Sequence, residues 1–206
     1  MTGRNIPHLT PKERKGEMNN LLHTTLNGYN KGHPNSGERD GLLTETFDFF
    51  LDDLLTHHHN AIVMRNIVRE NKSKTTINKK VLGRRLVKRT TPRFIILPVT
   101  IEGHFFSYLI DRDNNIVHRV DGDDPTQNGI SDRALERFLG EGWGEVQQTS
   151  AASRRGWICG DCGVYVLYYI HRLLQDQAVR GVIRETSKSF RVGMGEYLEG
   201  KVDEWI

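Results

Sequence analysis

The sequence has few of the features that mark a specialised class of protein. Only two of its 206 residues are cysteines, which excludes a disulfide framework and favours a reducing compartment. No apolar run reaches the roughly eighteen residues of a membrane span, and the first twenty residues lack the apolar core of a secretory signal. The net charge of +3 is too small by itself to indicate nucleic acid. We therefore expect a protein of the cytoplasm or nucleus, or an effector delivered into host-cell cytoplasm, with no membrane or nucleic-acid partner.

What remains is the composition of one globular domain. Hydrophobic residues make up 36% of the chain and charged residues 27%, and this length is enough to bury a sizeable core. Residues 1–40 are polar and contain prolines and glycines, so we expect an N-terminal arm with one short helix over 17–26. The prediction is a single domain over 1–206, acting as a monomer.

The central part of the chain predicts an α+β fold. The stretches 93–101, 105–111 and 116–121 are typical of strands, and RDNN between the last two has turn composition. Residues 132–139 predict a helix with Ser131 as N-cap and Gly140 after its end. Residues 164–179 predict a buried helix, although their β-branched start leaves a strand open. The basic segment 72–89 is interpreted as a solvated stretch before the sheet, with a nuclear-import or acidic-partner patch as the alternative.

Upstream of the strands, apolar side chains recur at helical spacing and acidic side chains take the opposite face. This pattern predicts an amphipathic helix. Its apolar face comprises Phe47, Phe50, Leu51, Leu54 and Leu55.

Both cysteines lie in GWICGDCGVY, where the C-x-x-C spacing allows three interpretations. A zinc site needs two further ligands, and the run His57–His59 is a poor source because adjacent side chains diverge. A thioredoxin-like pair belongs near the start of a βαβ unit, whereas this pair follows an antiparallel hairpin. The third interpretation makes Cys162 a nucleophile at the start of a buried helix, where the helix dipole and free N–H groups favour a thiolate.

A nucleophilic cysteine needs a histidine base, and the histidine needs an orienting group. His171 lies nine residues along the same helix, about 13 Å from Cys162, too far to serve. The hairpin offers His104 and His118. If the RDNN loop is even-numbered, Phe106 opposes Asp121 and His104 is the diagonal neighbour of that aspartate, whereas His118 opposes Leu109 and has no acidic neighbour. We therefore predict Cys162 as nucleophile, His104 as base and acid, and Asp121 as orienter, with no metal and no cofactor.

These segments resemble the ubiquitin-like-protein proteases, the clan of deSUMOylases, deneddylases and adenains. RFIILPVTIEGHFFSYLID is similar to its strand–His–strand segment, VDGDD to its Asp segment and GDCGVYV to its nucleophile segment. The order His104, Asp121, Cys162 is the family's, and the spacings of 17 and 41 residues are close to those of short deneddylase-like members. The resemblance covers residues 40–175 and implies a papain-like cysteine protease fold (adenain-like), with a central mixed sheet, a buried nucleophile-bearing helix and flanking helices.

The sequence departs from the family pattern around the substrate. The family has an oxyanion-stabilising Gln five or six residues before the Cys, where this chain has Trp157 and Gly156. The Trp157 indole N–H is therefore a candidate oxyanion donor. Phe105 replaces a Trp that roofs the tunnel for a Gly-Gly tail.

The family's L-N-D segment at the first helix also bears on substrate binding. It corresponds to Leu43, Thr44 and Glu45 here, so the resemblance implies that Leu43 and Glu45, like Phe105, contact substrate. The substrate implied is ubiquitin or a ubiquitin-like modifier, cleaved after its C-terminal glycine as a free precursor or in conjugates. The alternatives are an effector acetyltransferase that uses the same triad with acetyl-CoA, and a catalytically weak module that only binds a modifier.

Overall fold

A computed structural model describes Gly16 and residues 44–71, 74–88, 90–101, 104–121, 129–150, 162–177 and 192–196. The N-terminal arm, apart from Gly16, and its expected helix over 17–26 lie outside these residues. The predicted single domain over 1–206 stays a prediction.

The centre of the fold is a five-stranded mixed sheet with strand order β1-β4-β5-β6-β7. The middle strands β4, β5 and β6 pair antiparallel, while β1 and β7 run parallel to their neighbours at the two edges. A separate antiparallel pair is formed by β2 and β3. The strands are β1 (Ala61–Val63), β2 (Val68–Asn71), β3 (Lys74–Ile77), β4 (Phe94–Ile101), β5 (His104–Asp111), β6 (Ile116–Asp121) and β7 (Gln147–Ser150).

Helices cover both faces of the sheet. They are α1 (Thr44–Thr56), α2 (Lys79–Val87), α3 (Gly129–Leu139) and α4 (Cys162–Leu174), and residues 192–196 are also helical. One core joins α1 and α4 to Phe105, Leu109 and Val120. The other joins Leu82 of α2 and Leu135 of α3 to Phe106 and Tyr108. The predicted α+β class, with a mixed sheet and a buried helix that begins at Cys162, is confirmed.

The strand β5 is apolar along most of its length because helices pack on both of its sides. Successive side chains point to opposite faces, so Phe105 and Leu109 enter one core while Phe106 and Tyr108 enter the other. A strand buried on both faces carries a continuous apolar run instead of an alternating one.

The register of the β5–β6 hairpin agrees with the even-numbered loop. Phe106 pairs with Asp121, and the loop comprises residues 112–115. The carboxylate of Asp111 accepts hydrogen bonds from the backbone N–H groups of Asp113 and Asn114, and Asn115 adopts a φ of 52°. Asn tolerates this left-handed conformation better than most residues.

One local prediction needs correction. The helix α3 begins at Gly129, so Ser131 is its third residue and not its N-cap; Gly140 follows its end with a φ of 81°.

The segment 72–89, interpreted as a solvated stretch, is mostly exposed where the structure describes its side chains, and it contains β3 and α2. Asn78 caps α2 by accepting from the N–H of Val81, and Leu82 anchors the helix in the core.

The segment 164–179, whose start also allowed a strand, forms the helix α4 up to Leu174. Its aromatic and aliphatic side chains are buried almost all round, so packing outweighs the strand preference of its β-branched start. Within the described ranges, no helix has both the length and the apolar character needed to cross a bilayer.

Candidate active site

His104 and Asp121 meet at one end of the central sheet. His104 is the first residue of β5 and Asp121 is the last residue of β6, and the register makes them diagonal neighbours on one face. Their side chains form a hydrogen bond of 2.7 Å between Nε2 of His104 and Oδ1 of Asp121. Asp121 is fully buried, whereas the His104 side chain is 22% exposed, so the imidazole can both be oriented and reach a substrate.

Cys162 reaches the same point from the neighbouring helix. It is the first residue of α4 and is half-buried, with a free thiol. Its Sγ accepts a hydrogen bond from the backbone N–H of Phe105 at 3.4 Å, and its thiol also interacts with the His104 ring. Because Nε2 of His104 is engaged by Asp121, Nδ1 is the nitrogen left to exchange a proton with Cys162.

The surroundings of His104 favour its charged form. Burial lowers the pKa of this imidazole, but hydrogen bonds to Asp121 and Cys162 and the charges of those groups outweigh burial and raise the pKa to about 10. His104 is therefore an imidazolium at neutral pH.

The second oxygen of Asp121 is held by a buried arginine. Nε and Nη2 of Arg119 donate to Oδ2 of Asp121 at 3.1 and 2.7 Å. Nη1 of Arg119 donates to Oδ1 of Asp132 at 2.9 Å, and the hydroxyl of Tyr108 donates to that same oxygen at 2.6 Å. Asp121 is thus fixed from both sides, by His104 and by Arg119.

Sequence reasoning did not identify Arg119, although a signal was present. Arg119 and Asp121 are two residues apart on one strand, which places both side chains on the same face. A charged residue so placed, within a strand expected to be buried, indicates an internal ion pair.

No family model and no curated protein sequence matches the chain. Several solved structures match the chain. The SUMO protease Ulp1 with its catalytic cysteine oxidised to a sulfenic acid matches with a TM-score of 0.59 and 13% identity, over 99% of this chain and 100% of that chain. The sulfinic acid form matches with a TM-score of 0.56 and 14% identity, over 97% and 100%. The C-terminal Ulp1 protease domain in complex with SMT3, the yeast ortholog of SUMO, matches with a TM-score of 0.59 and 13% identity, over 99% and 100%.

The chain has the fold of the Ulp1-type cysteine proteases. The fold implied by the sequence resemblance is therefore confirmed.

The substrate-contacting residues implied by the resemblance are only partly described. Phe105 is 3% exposed, and its ring stacks on that of Phe47 with the centroids 4.7 Å apart. Glu45 lies in the first turn of α1. Leu43, Trp157 and the second cysteine, Cys159, lie outside the described residues, so their predicted roles stay predictions.

A pocket lies beside Phe105, the residue next to His104 in the chain. It has a volume of about 320 Å³ and lies between α1, the turn after β1 and the β4–β5 hairpin. Phe105 is part of its wall, and the backbone of Phe105 touches the Cys162 sulfur. The pocket therefore reaches to within one residue of the thiol. Its lining includes Phe47, Asp48, Arg65, Arg69, Pro98 and Thr100.

A larger cavity of about 610 Å³ lies elsewhere, between α1, α4 and residues 192–196. Its walls include His58 and His171, whose rings are 6.1 Å apart. Neither cavity is lined by His104, Asp121 or Cys162, but Phe105, whose backbone contacts the Cys162 sulfur, lines only the smaller one. Size alone does not identify an active site, so the smaller pocket is the better candidate. His171 faces this cavity, which agrees with its exclusion as a base for Cys162.

The expectation for His118 needs one correction. His118 does oppose Leu109, but it is not without an acidic neighbour. Burial lowers the pKa of His118, while the charge of Asp111 acts to raise it. The Asp111 carboxylate is itself bound by Arg93, and it lies at the opposite end of β5 from His104. This histidine therefore belongs to a different electrostatic cluster.

The structure also bears on metal binding. In the part of the chain that the structure describes, no three His, Cys, Asp or Glu side chains are grouped so that they could hold a metal ion.

Proposed function

We propose that the protein is a cysteine protease that cleaves after the C-terminal glycine of ubiquitin or a ubiquitin-like modifier. The observation that carries the proposal is the arrangement of Cys162, His104 and Asp121 around one point. The Cys162 thiol interacts with the His104 imidazole. The imidazole is in turn hydrogen-bonded to the buried Asp121 carboxylate at 2.7 Å. A nucleophile, a base and an orienting group in this relation are the requirement for acyl transfer.

A SUMO-type modifier is the first substrate to test. The Ulp1-type fold extends over nearly the whole chain, and one of the matching Ulp1 structures is a complex with SMT3, the yeast ortholog of SUMO. Identity of 13% does not carry substrate choice from one protein to the other, so ubiquitin and other modifiers belong in the same panel.

In the first half-reaction, the Cys162 thiolate attacks the carbonyl carbon of the modifier's terminal glycine. A C–S bond forms, and the carbonyl oxygen takes the negative charge. The backbone N–H of Cys162, at the unpaired N-terminal end of α4, is a donor suited to that oxyanion. The His104 imidazolium then transfers its proton to the leaving nitrogen as the C–N bond breaks.

In the second half-reaction, water releases the modifier. Neutral His104 takes a proton from the water while the oxygen attacks the thioester carbon, and the C–S bond then breaks. Cys162 leaves as thiolate and His104 is again an imidazolium, so the site returns to its starting charge state. Asp121 holds the ring through Nε2 in both steps and does not itself need to become protonated.

The pocket beside Phe105 is proposed to take the part of the modifier next to the scissile bond. An extended tail ending in glycine carries no side chain at its last residue, so it needs little space beside Phe105 to reach the thiol. The exposed rim residues Thr100 and Arg69 are proposed to contact the body of the modifier.

Labelling with C-terminal electrophile probes of SUMO, ubiquitin and related modifiers tests the proposal. We expect one probe to form an adduct located at Cys162 by mass spectrometry, and the matching fluorogenic modifier amide to be hydrolysed. The Cys162→Ala variant is the matched negative control and Cys159→Ser the matched positive control. The proposal fails if no probe labels the wild type. Binding of a modifier without turnover would instead indicate a binding module, and Cys162-dependent transfer of label from acetyl-CoA an acetyltransferase.

A further inference from the structure

Arg119 and Asp121 are the most deeply buried charged residues in the described part of the chain, since each side chain has 0% exposure. Arg119 lies between the central sheet and α3. Its guanidinium carbon sits 4.2 Å from the centre of the Phe106 ring, and that ring is itself stacked against His104 with the centroids 6.3 Å apart. The Phe106 ring therefore packs against His104 and Arg119, two side chains that are hydrogen-bonded to the Asp121 carboxylate.

A row of four hydrogen-bonded charged side chains leads from the candidate active site into the protein, and their charges alternate in sign. His104 is followed by Asp121, then by Arg119, then by Asp132 in the first turn of α3. With His104 protonated, the two positive and two negative groups balance. A buried charge is costly unless it is paired and hydrogen-bonded, and this alternation pairs every member.

The geometry of Arg119 matters as well as its charge. Two of its N–H groups converge on a single oxygen, Oδ2 of Asp121, while a third is anchored on Asp132. Without this hold, Oδ2 would be buried with one fewer partner and the carboxylate would be freer to rotate. A lysine provides the charge but not this planar fork of donors.

We propose that Arg119 is a positioning residue for the triad: by holding Oδ2 of Asp121 against an anchor on α3, it keeps Oδ1 aimed at His104. The proposal rests on the proposed function, since a positioning role requires that His104 and Cys162 react.

The electrostatic consequence follows from the charged and titratable groups around His104. Within the described residues, these are Asp121 and Arg119 from β6 and Cys162 from α4. Tyr165 of α4 also lies close enough to Asp121 to be affected by its charge, because burial, a hydrogen bond to Tyr169 and the charge of Asp121 together raise the pKa of Tyr165. Arg119 offsets part of the negative charge that stabilises the imidazolium, and it also fixes the carboxylate that binds the ring. Its removal should therefore change the pH at which His104 titrates.

The test uses the double variant Arg119→Met/Asp132→Asn of the full chain. This pair removes one positive and one negative charge, so the charge balance of the cluster is kept. We expect kcat on the reactive fluorogenic modifier to fall by about 100-fold, the cost of a misplaced catalytic group, with KM changed less than threefold. We also expect the NMR titration midpoint of His104 to shift and the rate of Cys162 alkylation by iodoacetamide to change by more than threefold at neutral pH.

Two further variants, one that keeps the charge at position 119 and one at a comparable arginine elsewhere, test whether the changes come from Arg119. Arg119→Lys, which keeps the charge, should recover at least tenfold of the lost kcat; it also provides the test if the double variant does not fold. Arg93→Met is the matched control, because Arg93 is likewise bound to two aspartates, Asp111 and Asp176, at the far end of the sheet from His104. It should leave kcat and the His104 titration unchanged.

A folded double variant, or a folded Arg119→Lys variant, with wild-type kcat and an unmoved His104 titration would overturn the inference. The titration and the alkylation need no modifier, so they also separate this inference from the proposed function. If no modifier probe reacts with the wild type while both still shift, the protease proposal falls and the positioning role of Arg119 on His104 stands.

Discussion

The backbone N–H of Phe105 lies 3.4 Å from the sulfur of Cys162. Since His104 is the preceding residue, two consecutive residues of β5 supply the imidazole and an amide donor that approach the same thiol. Strand β5 and helix α4 therefore form the candidate site together. A shift of one against the other would separate His104 from Cys162.

Replacing Cys162 by Ala should abolish turnover without unfolding the protein. The side chain is only half-buried and stands at a helix start, so we expect a change in unfolding free energy within about 1 kcal/mol. We expect kcat to fall by at least about 10⁴-fold, as for loss of a nucleophile in a triad. Steady-state kinetics and urea unfolding measure the two quantities. Cys159→Ser should retain activity, and loss of activity in that variant would point back to a dithiol mechanism.

Replacing Asp121 by Asn should damage both activity and stability. The amide presents an N–H₂ group to either His104 or Arg119, so one buried partner loses its acceptor. We expect kcat to fall by about 10³- to 10⁴-fold and the unfolding free energy by about 3 kcal/mol, the cost of breaking a buried ion pair on one side. Urea denaturation and kinetics on the same preparation provide the measurement. An Asp121→Asn protein as stable as the wild type would contradict the burial of Arg119 against this carboxylate.

The stability contributed by His104 should decline in alkaline solution. The folded-state pKa of His104 is raised to about 10 from 6.5, so its protonated form stabilises the fold fully below about pH 6.5. That contribution is lost as the pH rises through about 10. Urea unfolding of the wild type and of His104→Gln at pH 6, 8 and 10 measures this contribution. The difference between their free energies of unfolding should become smaller by a few kcal/mol as the pH rises, since one pKa unit corresponds to about 1.4 kcal/mol.

His118→Gln is a control of opposite sign for this experiment. Burial lowers the pKa of His118, so its contribution is present above about pH 6.5 and is lost as the pH falls through its folded-state value. If the free energies of unfolding of both variants, relative to the wild type, changed with pH in the same direction, the assignment of His104 as the imidazolium of the site would be contradicted.

Much of the site was predictable because it depends on local rules. The length of the 112–115 loop sets the register of β5 against β6, and that register makes His104 the diagonal neighbour of Asp121. The apolar run after Gly163 predicts the helix that begins at Cys162. These inferences need only the period of a strand, the period of a helix and a turn composition.

The rest depends on long-range packing, which no local pattern contains. Arg119 is buried although arginine is mostly found at the surface, because Asp132, 13 residues further along the chain, completes its pairing. The start of α3 at Gly129 and the helix α2 within a basic segment likewise depend on contacts made by Leu135 and Leu82 in the core. Helix boundaries are the least predictable feature for the same reason.

Blocking the pocket beside Phe105 should impair modifier binding and leave the thiol reactive. Thr100 is exposed and pairs with Phe105 across β4 and β5, so a long side chain at this position would fill the pocket without entering the core. We expect Thr100→Arg to raise KM for the modifier substrate at least tenfold with little change in kcat, because ground-state and transition-state binding are reduced alike. Alkylation of Cys162 by iodoacetamide should proceed at the wild-type rate. Val87→Arg, a substitution at an 82% exposed position at the end of α2, should change neither quantity. A Thr100→Arg enzyme with unchanged KM would show that the modifier approaches Cys162 from another side, and the pocket would then have no part in substrate binding.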